Sequence, residues 1–330
     1  MTVLVTGGAG FIGSHMVLAL NDAGEDVVVI DNLSTGFCWA VAPAAKLIEA
    51  DIGDEAALDR VMGEHQLDAI VHFAGSIVVP ESVVDPLAYY LNNTVKSRAL
   101  IAAAVRHRVP RFVFSSTAAV YGNPGNEPVF EDAVVKPISP YGTSKLMTEW
   151  MLRDSHYAYG LQYAALRYFN VAGADPKGRS GQSTPRTTHL IKVACQTALG
   201  SRAELEVFGT DYDTPDGTCI RDYIHVSDLV TAHLDALKHL RNGGESGVFN
   251  CGYGTGYSVL EVIRAVERAV GRKLDVKLAG RRAGDPAAIV AGAEKVRRVL
   301  GWRPHHQDLD DIVASALAWE RHLQRRNSAA

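Results

Sequence analysis

The sequence predicts an α/β fold, a doubly wound parallel sheet followed by a smaller mixed α/β C-terminal part. Three observations predict it. Short apolar or β-branched runs alternate with helix-like stretches through the first half. Several of those runs are apolar throughout, as parallel strands buried on both faces require. A glycine-rich loop, Thr6-Gly-Gly-Ala-Gly-Phe-Ile-Gly13, joins the first run to the first helix-like stretch.

Taken in order, residues 3–6, 27–30, 46–49, 69–73, 112–115 and 163–167 read as strands. Between them, residues 11–23, 55–65, 86–108 and 141–159 read as helices. Connections between parallel strands are then right-handed by default. Past Asn170 the texture changes. Residues 171–185 are rich in Gly, Pro, Ser and Asp and read as loop. Residues 189–198 look helical, and 211–217 and 252–256 are turn-rich. Ser258 reads as a helix N-cap, with Glu261 three residues on to complete a capping box. Residues 308–324 form an amphipathic helix with a polar tail. There are no repeats and no low-complexity tract.

The 330 residues suffice for about two domains and a large core. A hydrophobic content of 47% and a charged content of 21% are ordinary for a globular protein. The net charge of -4 offers no electrostatic case for nucleic acid or an anionic membrane. No apolar stretch approaches the ~18 residues a membrane span needs. Cys38, Cys195, Cys219 and Cys251 are scattered, which fits structural thiols in a reducing compartment and neither a disulfide framework nor a zinc site. Residue 2 already leads into the first strand and leaves no room for a cleaved signal peptide, so a cytoplasmic location is expected.

Gly7, Gly10 and Gly13 stand three apart, after a strand and at the opening of a helix. A tight turn, a close approach of backbone to a pyrophosphate, and helix–strand packing each demand a residue without a side chain. The helix N-terminus offers free N–H groups and positive dipole to phosphates. A plain glycine-rich turn is the bland alternative. Asp31, 18 residues beyond Gly13, closes the second strand. A carboxylate there accepts hydrogen bonds from ribose hydroxyls and repels a 2′-phosphate, which predicts NAD over NADP. A solvent-facing Asp is the alternative there. Asp51 ends the third strand, where it reads either as an adenine contact or as a helix N-cap.

Tyr141 and Lys145 stand four apart in Ser139-Pro-Tyr-Gly-Thr-Ser-Lys145, so a phenol and an ammonium share one helix face. A phenol titrates near pH 10 in water. A fixed cation at close range favours the phenolate, and lowering the pKa by about three units takes about 4 kcal/mol. Alone the Tyr/Lys spacing is weak; behind a glycine loop it points to acid/base chemistry beside a dinucleotide.

These residues, with further motifs, resemble the UDP-glucose 4-epimerases within the extended short-chain dehydrogenase/reductases, over nearly the whole chain. The resemblance rests on the glycine loop, Asp31-Asn32, Asp51-Ile52, His72-Phe-Ala-Gly75, Glu81-Ser82, Tyr89-Tyr90-Leu-Asn-Asn93, Phe114-Ser-Ser-Thr-Ala-Ala-Val-Tyr-Gly122 and the Tyr/Lys segment. Arg167-Tyr-Phe-Asn-Val-Ala-Gly173, Arg221-Asp-Tyr-Ile-His-Val226 and Arg281-Arg-Ala-Gly-Asp285 are more specific to the epimerase branch.

The resemblance implies a Rossmann-type NAD domain of residues 1–169 and 221–250 and a nucleotide-sugar domain of residues 170–220 and 251–330. It implies inversion at C4 of a UDP-hexose, with Tyr141 as the acid/base, Lys145 holding the nicotinamide ribose, and Thr117 in place of a usual serine. Cofactor contacts are expected from Phe11, Ile12, Asn32 and Ile52, then from Phe73, Ala74, Gly75 and Asn92, and from Ser115, Ser116 and Tyr168. For the substrate, Arg221 and Arg282 fit a forked grip on phosphate. Asn170 fits as a neutral donor there, Asp285 as an acceptor for the uridine ribose, Phe208 as the face against uracil, and Tyr223 near ribose or phosphate. His189 and Leu190 are expected beside the same substrate. The helices 86–108 and 141–159 are expected to pair across a two-fold axis in a homodimer, the alternative being packing within one subunit.

Three departures stand out. Ile77 sits where many relatives carry a lysine, and Lys192 where a proline is common. Ile289 stands at the position that gates the sugar pocket and has an intermediate size, which leaves UDP-N-acetylhexosamines or UDP-pentoses as alternative substrates. Ala118-Ala119 after Thr117 lack the Asp-Glu pair that a sugar 4,6-dehydratase needs. A catalytically silent NAD-binding regulator on the same fold is the remaining alternative, and it predicts a broken Tyr/Lys pair.

Overall fold

The computed structural model describes residues 1–184, 187–282 and 285–328. The first half builds β1 (Thr2–Thr6), α1 (Phe11–Asp22), β2 (Asp26–Asp31), β3 (Lys46–Glu49), α2 (Glu55–Glu64) and β4 (Leu67–His72). It continues with α3 (Val79–Val84), α4 (Pro86–Tyr89), α5 (Lys96–Arg106), β5 (Arg111–Thr117), α6 (Pro140–Tyr159) and β6 (Gln162–Tyr168). Then follow β7 (Asn170–Ala172), α7 (Leu190–Ala198), β8 (Leu205–Phe208), β9 (Ile220–His225), α8 (Val226–Arg241) and β10 (Gly247–Cys251). The chain ends in β11 (Gly256–Ser258), α9 (Val259–Val270), β12 (Val276–Ala279), β13 (Ala288–Ile289), α10 (Glu294–Val299) and α11 (Leu309–Ser328).

The large sheet runs β10-β6-β5-β4-β1-β2-β3 and every pairing in it is parallel. Its strands are apolar on both faces because both faces are covered. Val3, Val5, Val27 and Val29 enter one core with Met16, Val17 and Leu229 from α1 and α8. Leu4, Val28 and Ile30 enter the other with Leu58 and Leu100 from α2 and α5. The period of two along each strand separates the two cores. This is the doubly wound parallel fold the sequence predicts. The order reverses between β1 and β4, so the crevice at their C-terminal ends is where a ligand belongs.

The smaller part contains a sheet ordered β11-β9-β13, with β7 also pairing β9, and a separate β8–β12 pair. Helices α7, α9 and α11 pack on one another beside it. The capping box at α9 is present: Ser258 Oγ accepts from Glu261 N at 3.1 Å and Glu261 Oε2 accepts from Ser258 N at 2.8 Å. The strands of this part are two to six residues long and were not separable from loop in the sequence; β10, which completes the large sheet, was missed with them.

One helix differs in kind. Residues 86–108 form α4 and α5 joined by a π-helical turn over Tyr90–Val95. Asn93 explains the extra residue. Its Oδ1 accepts from Ser76 N at 2.7 Å, and its Nδ2 donates to Ser76 O at 2.9 Å and Ser144 Oγ at 3.1 Å. The wider turn brings this side chain beside Gly75 at the crevice, and π-turns cluster at such sites. Helix α6 starts with Ser139 as N-cap, accepting from Gly142 N at 3.2 Å, and Pro140 at its first position. Among the described residues no helix is long and apolar enough to cross a membrane.

Candidate active site

The glycine loop closes on itself and on β4. Gly7 has φ +72°, and a Cβ there would lie 2.6 Å from Ala74 N. A Cβ on Gly13 would lie 2.0 Å from Gly7 O. On Gly10, the N-cap of α1, a Cβ would meet nothing nearer than Gly7 O at 3.3 Å. Gly7 and Gly13 are therefore demanded by packing, and Gly10 leaves its side open to a ligand. Phe11 and Ile12 are partly buried against the core behind it. Asp31 is buried at the end of β2, its Oδ2 accepting from Ala9 N at 2.9 Å and its Oδ1 from Leu33 N at 2.8 Å. Asp51 Oδ2 accepts from Lys96 Nζ at 2.6 Å and Asn32 Nδ2 at 3.1 Å, and Oδ1 from Gly53 N at 2.8 Å. Burial pushes the Asp51 carboxyl up, but Lys96, Gly53 and Asn32 outweigh it and hold it below the usual range. The N-cap of α2 is Asp54, not Asp51, and Ile52 is buried beside it. A glycine cradle, free helix N–H groups and a carboxylate 18 residues on together fit a dinucleotide.

Thr117, Tyr141, Lys145, Ser115 and Tyr168 converge where β5, β6 and α6 meet. The Thr117 hydroxyl lies beside the Tyr141 phenol. Lys145 Nζ donates to Ser115 O at 3.0 Å and lies 5.0 Å from the centre of the Phe114 ring. Ser115 Oγ and Tyr168 OH share a hydrogen bond of 2.5 Å. Burial raises the Tyr141 phenol, and the Thr117 hydroxyl works against it. Burial also pulls the Lys145 ammonium down to about 8. The sequence expectation that Lys145 depresses Tyr141 does not describe the chain by itself, because desolvation dominates both groups and Lys145 is tied to a backbone carbonyl.

From β4, the Phe73 N–H donates to Thr6 O at 2.9 Å, and the Phe73 ring lies 4.9 Å from His233. A Cβ on Gly75 would lie 3.6 Å from Lys145 Nζ. Asn92 Nδ2 donates to Ser76 Oγ at 2.9 Å. Ile77 is half exposed.

Ser116 is a correction. It was expected to touch the cofactor, but alternation along β5 turns it to the opposite face from Ser115 and Thr117. It is fully buried, and its Oγ donates to Glu149 Oε1 at 2.5 Å. Glu149 and Arg167 form a buried bidentate pair at 2.6 and 3.0 Å, and Arg167 Nη1 donates to Tyr121 OH at 2.9 Å. Sequence reasoning missed this pair. It also missed the buried chain in which His72 joins Thr6 Oγ1 at 2.6 Å to Ser97 Oγ at 2.8 Å, while Ser97 Oγ donates to Asn93 O at 2.5 Å. Burial, with Lys145 nearby, pulls His72 down to about 3, so its ring is neutral. A histidine inside an otherwise apolar strand was the available signal.

Two clusters lie on the smaller part and share β9. In the first, Arg282 stacks on Phe208 at 4.1 Å, Arg221 faces Asp285 at 3.7 Å, and Ile289 pairs in register with Arg221. Ala283 and Gly284 of this motif lie outside the described residues. In the second, Asn170, His189, Leu190, Tyr223 and Lys192 line one cleft. Burial, then Lys192, pulls the His189 imidazole down. Lys192 is buried, donating to Gln182 O at 2.6 Å and paired with Glu320 of α11.

The family model described as the NAD dependent epimerase/dehydratase family matches residues 3–252. A UDP-glucose 4-epimerase of Azospirillum brasilense is 61% identical over 323 residues, 98% of this chain and 93% of that protein. The UDP-glucose 4-epimerase of Brucella ovis, solved in complex with NAD, superposes with a TM-score of 0.93 at 45% identity, over 96% of this chain and 97% of that one. The Bifidobacterium longum enzyme of the same name, solved with NAD+ and UDP, gives 0.93 at 40% identity, over 98% of each chain.

Proposed function

We propose, from the premise that this chain belongs to the NAD dependent epimerase/dehydratase family, that it is an NAD-dependent enzyme interconverting UDP-glucose and UDP-galactose by inversion at C4. The observation that carries this reading is the buried Tyr141 phenol beside the Thr117 hydroxyl, with Lys145 one helical turn away. In this reading residues 1–169 and 221–250 carry NAD, and residues 170–220 and 251–330 carry the nucleotide sugar. The Gly10 opening, the N-terminus of α1 and Asp31 fit the dinucleotide.

NAD, when bound, supplies the two-electron acceptor and donor for sugar C4. Tyr141, as phenolate, takes the proton of the 4-hydroxyl, and Thr117 holds the same oxygen by a hydrogen bond. After the 4-keto sugar turns its other face, Tyr141 returns the proton. Lys145, a cation held on Ser115 O, stabilises the phenolate while it exists. Arg221 and Arg282 fit the diphosphate; an anion there competes with Asp285 for the Arg221 guanidinium, a loose contact at 3.7 Å. The test is epimerisation of UDP-galactose by purified protein with no NAD added. UDP-glucose as product is the expected result, and no conversion by protein shown to hold NAD would sink the reading.

The enzyme is also proposed to act in the cytoplasm, a reading supported by its four free cysteines, and as a homodimer. Val84, Leu87, Leu91 and Val95 of α3, α4 and the π-turn are each more than half exposed, and Trp150 and Tyr157 of α6 are exposed as well. Such a patch suits a second copy of the same chain. Light scattering at micromolar concentration should give twice the 35.5 kDa chain mass, and a monomer mass would reject the dimer.

A further inference from the structure

Residues 175–183, between β7 and α7, cross from α11 to α1 and are fastened at both ends. Arg179 donates to both oxygens of Asp22 on α1, at 2.9 and 3.0 Å, and to Asp175 Oδ1 at 2.9 Å. Ser180 is fully buried and shares a hydrogen bond of 2.7 Å with Ser14, also on α1. At the other end Gly181 lies flat on Trp319 of α11; a Cβ there would sit 2.3 Å from Trp319 Cγ. Trp319 Nε1 donates to Ser183 Oγ at 3.2 Å.

Trp319 in turn stacks on Trp39, with ring centres 6.4 Å apart and planes 30° apart, and the Arg326 guanidinium covers Trp39 at 4.1 Å. Trp39 belongs to the connection between β2 and β3, which is bound to the glycine loop. Phe37 N donates to Ala9 O at 3.0 Å, and the Phe37 ring packs on Trp39 at 5.1 Å. A single cleft results. Gly10 and Phe11 of the glycine loop and α1, Thr35 and Phe37, and Gly181 and Ser183 all line it.

We propose that residues 175–183, closed by the Trp39–Trp319 stack and the Arg179–Asp22 pair, are the outer wall of the dinucleotide cleft and retain the cofactor between turnovers. The inference rests on the NAD-dependent reading above. The phosphates approach α1 at its N-terminus, and the segment is fastened to the first turn and the last residue of that helix. Cofactor escape past Gly10 therefore requires the segment to lift from α1, from Trp319, or from both. Trp39 and Arg179 are chosen for the test because neither is fully buried and neither belongs to the two large cores that flank the sheet.

The experiment measures release of NAD from purified holoenzyme, as nucleotide remaining in the protein fraction over time after gel filtration, for wild type, Trp39→Ala and Arg179→Gln. Loss of an aromatic stack should speed release by about tenfold, and loss of the exposed ion pair by about twofold to fivefold. Wild-type rates in both variants, with wild type itself holding NAD, would overturn the proposed wall and leave the enzymatic reading standing. A wild-type protein that holds no NAD would overturn both.

Discussion

Tyr141→Phe is expected to lower turnover by ~10²–10⁴-fold while NAD stays bound. The ring of phenylalanine fills the same buried space, so the fold and the cofactor site are untouched. What disappears is the phenol oxygen beside Thr117, between β5 and α6. Burial holds that phenol above its ordinary range, which makes it a strong base once ionised and costs free energy to ionise. Lys145, pulled down to about 8 by burial, remains a cation at pH 7 and falls away above its own pKa. In the proposed mechanism its charge supports the phenolate at neutral pH and less so in alkaline solution. Measuring turnover together with the NAD content of the same preparation decides the matter. Turnover within threefold of wild type would remove Tyr141 from the acid/base role.

The parts of this site that were legible in sequence are those whose geometry is local. Gly7 and Gly13 contact each other across six residues, and Tyr141 and Lys145 share a face because one helical turn separates them. The illegible parts depend on partners far along the chain. The π-turn at Asn93 needs Ser76 and Ser144. The Lys192–Glu320 pair spans 128 residues. Ser116 lies between these cases: the alternation along β5 separates it from Ser115 and Thr117, but its neighbourhood in the motif outweighed that pattern. The rise that burial imposes on Tyr141 was illegible for another reason. Charge proximity can be read from spacing, whereas desolvation is a property of the packed site.

Arg167→Leu is expected to cost ~3–5 kcal/mol of stability, because it leaves the Glu149 carboxylate buried without a counter-charge. Among the described residues, only Ser116 Oγ would remain to donate to it. Both side chains of the pair are no more than 6% exposed, so water cannot take the place of the guanidinium. The consequence reaches the active site through α6, since Glu149 lies one turn beyond Lys145 and braces that helix against β6. Replacing both partners with methionine removes the charge problem and should cost markedly less than the single substitution. Denaturant midpoints of NAD-loaded protein, compared across the single and double variants, separate the two contributions. A double variant as unstable as Arg167→Leu would show that the pair contributes packing and the Tyr121 hydrogen bond, and that the buried charge is not what anchors α6.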